Sequence, residues 1–192
     1  DDVAYTNKDG DEFIAYTMIG AVQKNVGSVN EDFSFTNDII TNRIITVTKS
    51  GNNISDYNDL SGKKLAVVTD IAKAALDKNS TIKNNNKNTL YPTIEDALSA
   101  LDNGSVDAVI TDEFNFSPLE NAEKYQVLNG ELDKISYAFM FKKGDWVVEN
   151  WNEAIYELKS PDYNDKDEFT PMVEKYFGYN ASSFDYVPSK TK

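Results

Sequence analysis

The chain has no cysteine and no histidine among its 192 residues. Disulfides, thiolate nucleophiles, imidazole metal ligands and every histidine-based triad are excluded with them. The lack of cysteine leaves the compartment open, because exported bacterial proteins and cytosolic proteins both do without it. Positive charge is scarce as well. Nineteen Lys and Arg stand against 32 Asp and Glu, for a net charge of −13. The densest basic runs are the doublets Lys63-Lys64 and Lys142-Lys143. No basic face is available for a phosphate backbone, so nucleic acid is not an expected partner. No apolar run approaches the ~20 residues of a membrane helix. The sequence opens on Asp1-Asp2 without a signal segment, and the expectation is a mature exported domain trimmed at its N-terminus.

What is present is enough for a packed core: 40% hydrophobic and 12% aromatic residues suit one sizeable α/β domain or two small lobes. Asp9-Gly10 is a hairpin-turn candidate. Phe13–Val22 is apolar, and period alone does not separate strand from helix there. Asn25–Asp38 reads as a polar loop. Arg43–Thr48, rich in β-branched residues, predicts a strand. A regular succession follows: strand Leu65–Val68, helix Ile71–Asp77 starting at Thr69 or Asp70, polar connection Ser80–Asn88 and short strand Leu90-Tyr91. Next come helix Ile94–Leu101 capped by Thr93 and stopped at Gly104, and strand Val106–Thr111. This βαβ order predicts a doubly wound sheet. Strand Ser136–Phe141 and helices Trp146–Leu158 and Asp167–Phe177 complete the expectation, with an irregular tail from Tyr179.

The pieces from Arg43 to Gly178 resemble, in order and spacing, the family 3 extracellular solute-binding proteins, receptors of polar amino-acid ABC transporters. The segments that carry the resemblance are RIITVTKSG, DLSGKKLAVVT at Asp59–Thr69, TIEDALSALDNGSVDAVITDE at Thr93–Glu113, FMFKKGD at Phe139–Asp145 and VEKYFG at Val173–Gly178. The resemblance implies an α/β, type II periplasmic-binding-protein-like fold of two lobes joined by two hinge strands, near Arg43–Lys49 and Tyr137–Lys142. Lobe 1 would comprise residues 1–48 plus 137–192, and lobe 2 residues 50–136. Only 48 residues precede lobe 2, so lobe 1 is reduced against the family pattern. Its uncovered edges would favour a homodimer if the lobe is incomplete.

The candidate ligand-binding residues are Asp112, Thr69, Asp70, Phe114 and Phe116. Asp112 ends an apolar strand, at the carboxyl edge where open α/β sheets bind ligands. In the resemblance it holds the acidic position that pairs with a ligand amine, while its plainer reading is a cap on the next turn. Thr69 and Asp70 stand at a strand-to-helix turn where free N–H groups attract anions, but the Asp70 carboxylate would satisfy that helix end itself. Phe114 and Phe116 alternate around Asn115 just beyond Asp112, and each also suits simple packing. In the family register the carboxylate-binding Arg falls at Gly27. Arg43 lies on a hinge strand, and Lys24 is a lesser substitute. The expected ligand is therefore cationic or neutral and does not bind as an ordinary α-amino acid. Asp165, Asp167 and Glu168 lack the loop and glycine of a calcium site. Asp112-Glu113 would point to opposite sides of a strand, which argues against an acid–base pair.

No catalytic residue, metal or cofactor is expected, and the chain is not read as an enzyme. The function implied is extracytoplasmic capture of a small polar solute, amino-acid-like or amine-bearing, in an interlobe cleft, for delivery to an ABC permease. The alternatives are the ligand-sensing domain of a membrane receptor and a degenerate member without ligand.

Overall fold

In a computed structural model of the chain, residues 3–6, 12–15, 18–24, 33–160 and 169–177 are described. The Asp9-Gly10 turn, Gly27, the acidic run 165–168 and the tail from Tyr179 lie outside them. The chain divides into two compact units. One comprises Asp1–Thr41, Ser136–Met172 and Ala181–Lys192; the other comprises Asn42–Ile135 and Val173–Asn180.

In the second unit, strands β5 (Ile40–Lys49, from Asn42 on), β6 (Lys64–Val68), β7 (Lys87–Tyr91) and β8 (Ala108–Asp112) form a sheet in the order β7-β6-β8-β5. β7, β6 and β8 run parallel, β5 is antiparallel to β8, and β9 (Tyr125–Val127) pairs with the end of β5. Helices α1 (Asp70–Lys78) and α2 (Ser80–Asn85) connect β6 to β7, and α3 (Ile94–Asp102) connects β7 to β8. All five residues of β8 are buried, as expected for a parallel strand covered on both faces. On one face Ile45, Val47, Ala66, Val68 and Val109 pack with Ile94, Ala97, Leu98 and Leu101 of α3. By strand alternation Leu65, Val67, Ala108 and Ile110 face the other way. α1 lies on β6 and β8 with Ala72, Ala75 and Leu76 buried. After β6 the chain moves outward to β7, then returns past β6 to β8. The strand order therefore reverses at β6, and its carboxyl end and that of β8 flank the switch point.

Two expectations change here. The polar connection Ser80–Asn88 is helix α2, capped by Asn79, followed by the first two residues of β7. The helix start is also settled: Thr69 is the N-cap of α1, its hydroxyl accepting from Ala72 N–H at 3.3 Å, and Asp70 is the first helical residue.

In the first unit, β10 (Asp133–Lys142, from Ser136 on) pairs antiparallel with β3 (Met18–Gln23) and β4 (Phe33–Phe35). The described part of the apolar stretch Phe13–Val22 is strand, in β2 (Glu12–Ala15) and β3; β2 pairs with β1 (Val3–Thr6) as a separate antiparallel pair. Helix α5 (Val147–Lys159) sets Trp151 against Phe139 and Phe141, with ring centroids 4.7 and 5.8 Å apart. Phe141 is fully buried. Helix α6 (Phe169–Phe177) is the last element described.

Lys24 Nζ donates to Asp38 Oδ1 at 2.8 Å and to the Thr36 carbonyl at 3.1 Å. Burial works to raise the Asp38 pKa, but hydrogen bonds from Lys24 and Ser136 and the charges of Lys24 and Lys159 outweigh it and hold it below the ordinary 3.8. A depressed carboxylate contributes stability that is fully present above its unfolded value and lost as pH falls through the folded one. Asp38→Asn should therefore lower stability at neutral pH and flatten the loss of stability below pH 3.8, read from urea unfolding midpoints across the acid range. An acid limb unchanged by the substitution would refute this.

Candidate functional site

The site is built where β6 and β8 end side by side. Val67 pairs with Ile110 in the parallel register; Thr69 is the first residue past the end of β6, and Asp112 is the last residue of the neighbouring β8. Open α/β sheets present their ligand groups at this edge.

Asp112 is the last residue of β8 and the N-cap of a short helix, α4 (Glu113–Phe116). It is only 1% exposed. Its Oδ1 accepts from Asn115 N–H at 3.2 Å and from Asn42 Nδ2 at 3.0 Å; its Oδ2 accepts from Asn115 Nδ2 at 2.7 Å. The capping role weighed from the sequence is real, and it does not use up the carboxylate. A carboxylate has about four lone-pair sites, and the partners that fill three of them here are all neutral. A buried charge is costly without a counter-charge.

The neighbouring acid is treated differently. Glu113, also buried, accepts from Arg43 Nε at 3.0 Å and Nη2 at 2.6 Å, a bidentate ion pair. Arg43 is the only arginine in the sequence. Beside it on β5, Asn42 accepts from Phe114 N–H at 3.3 Å through Oδ1 while its amide nitrogen donates to Asp112. Two successive β5 side chains thus brace the Asp112–Phe114 turn. Sequence reasoning did not connect Asn42 to the site. Its partners lie 70 and 72 residues away along the chain, and no local pattern announces them.

The aromatic pair separates. Phe114 is partly exposed, whereas Phe116 is 3% exposed within the α3-side core, edge-on to Tyr125 at 6.3 Å. Phe116 is a packing residue and does not line the edge. The reason is the turn of helix α4: residues two apart on a helix face nearly opposite ways, unlike residues two apart on a strand. Asp70 is exposed in the first turn of α1.

Thr69 has φ +72° and ψ 148° and is the one non-glycine residue with positive φ among the described residues. A β-branched residue is strained there, by roughly 1–3 kcal/mol. Thr69→Gly would relieve that strain, against a loss of about 0.5–1 kcal/mol for glycine's extra chain entropy and a few tenths for the weaker cap. The expected result is a net gain of about 1 kcal/mol in chemical unfolding; a clear loss would show that Thr69 is not strained in solution.

No family model matches this chain, and no curated protein matches its sequence significantly. Solved structures do match its fold. An ABC uptake transporter substrate-binding protein from Streptococcus pneumoniae, with bound histidine, is 25% identical over 88% of this chain and 68% of its own, with a TM-score of 0.57. Tv2483, bound to L-arginine, is 22% identical over 83% of this chain, with a TM-score of 0.53, and the match spans 64% of its length. The GluR0 ligand-binding core from Nostoc punctiforme, in complex with L-glutamate, is 21% identical over 85% of this chain and 74% of its own, with a TM-score of 0.55. The present chain therefore spans roughly two thirds to three quarters of these relatives. Each of the three structures holds a bound amino acid. Consistent with the family 3 resemblance, the chain has the periplasmic-binding-protein fold of the amino-acid-binding components of ABC transporters.

Proposed function

We propose that this chain captures a small, polar, amine-bearing solute at the carboxyl edge of β6 and β8, for uptake through an ABC permease outside the cytoplasm. The observation that carries the reading is the buried Asp112 carboxylate. It is held by neutral donors at the topological switch point while Arg43 neutralises the adjacent Glu113. A ligand ammonium supplies the missing counter-charge through a charge-assisted hydrogen bond. Thr69 and Asp70 form the opposite lip of the same edge, and Phe114 offers an apolar flank. Among the described residues no helix is long and apolar enough to cross a membrane.

A ligand that binds only the native state raises the melting temperature. The test is a thermal-shift panel of amines, amino acids, short peptides and sugars on the intact chain and on Asp112→Asn. The reading requires shifts confined to amine-bearing compounds and strongly reduced in the variant. A flat panel on well-folded protein, or a shift that Asp112→Asn leaves intact, would sink it.

A further inference from the structure

We infer that the Asp112 edge selects organic cations that carry no carboxylate: amines, diamines or guanidines in place of α-amino acids. The inference rests on the amine-capture reading and adds what the ligand must lack.

An α-amino acid brings a carboxylate, and gripping it takes a guanidinium fork, an ammonium or a helix N-terminus with free N–H groups. Among the described residues that the site and the sequence nominate, each of these is either paired elsewhere or opposed by a fixed negative charge. The sole arginine, Arg43, has both Nε and Nη2 on Glu113. Lys24 is held by Asp38 and the Thr36 carbonyl. The α1 N-terminus stands at the edge, but the Thr69 hydroxyl takes its Ala72 N–H and Asp70 places a fixed negative charge in its first turn. Like charge at the dipole's positive end cancels its attraction for an incoming anion. The edge and its flanks thus set three carboxylates, Asp70, Asp112 and Glu113, against one guanidinium. A second ligand cation gains from Asp70 what a ligand carboxylate loses. The net charge of −13 works in the same direction over longer range by raising the local concentration of cations. The solved relatives hold histidine, L-arginine and L-glutamate, all α-carboxylates, so this selection sets the chain apart from them.

The experiment is calorimetric titration of the intact chain with compounds that differ only by loss of CO2: L-arginine against agmatine, L-lysine against cadaverine, L-histidine against histamine. In at least one pair the decarboxylated member should bind about tenfold tighter or better. Asp70→Ser, which keeps an exposed polar residue in the turn and removes the charge, should shrink that ratio severalfold. Parent amino acids that bind as tightly as their amines, or a ratio unmoved by Asp70→Ser, overturn the inference and leave the capture of amines standing. Silence from both members of every pair overturns the capture reading as well.

Discussion

Arg43→Ala should destabilise the chain by about 3 kcal/mol, the lower end of what removing one partner of a buried ion pair costs. The lower end applies because the Arg43 side chain is 33% exposed while that of Glu113 is 6% exposed. The guanidinium keeps part of its hydration, and the stranded carboxylate does not. The loss should show as a lower urea midpoint with an unchanged slope. Adding Glu113→Gln to Arg43→Ala removes the orphaned charge and should restore a large part of the stability, the non-additivity expected of residues in contact. Arg43→Lys keeps the charge without the planar fork and should fall in between. A loss from Arg43→Ala under about 1 kcal/mol would place the pair with the weak surface bridges and remove the brace under Asp112.

The second large effect falls on binding. Asp112→Asn retains an oxygen that caps α4, since Asn caps about as well as Asp. Asn115, whose amide meets Asp112 Oδ2, can turn that amide over to meet the new donor. Stability should change little. The charge is gone, and with it a hydrogen bond of the ionised kind, worth about 1.5–3 kcal/mol. An amine ligand should therefore bind about ten- to a hundredfold more weakly. Asp112→Ala should show the same loss of binding together with about 1 kcal/mol of lost stability from the missing cap. Unequal binding losses in the two variants would mean that the cap, and not the charge, holds the ligand.

The sequence was legible where local pattern and tertiary role agree. Leu65–Val68 and Ala108–Ile110 are apolar because both faces are covered. Thr93 caps α3 as its position promised, with the hydroxyl accepting from Asp96 N–H. β7 was mostly missed for the opposite reason. It is an outer strand whose first four residues are exposed, so Lys87-Asn88-Thr89 carries no alternation to read. α2 buries only Ile82 and shows no apolar stripe. In the site, Asp112 was visible as the polar end of an apolar run. Arg43, taken from the sequence as a hinge-strand residue, gains its meaning from Glu113, 70 residues away. The Phe114/Phe116 pair stayed between lining and packing in the sequence because α4 is a single turn, too short to show a period.

The placement of tryptophan gives the molecule a built-in optical division. Both tryptophans, Trp146 and Trp151, belong to the first unit, and the unit carrying Asp112 has none. Trp151 sits against Phe139 and Phe141 on β10, the strand that runs on from the second unit. Intrinsic emission excited at the indole band therefore comes wholly from the first unit. A fluorescence titration reads the surroundings of Trp146 and Trp151 in the first unit, and a site in the second unit is better followed by heat or melting temperature.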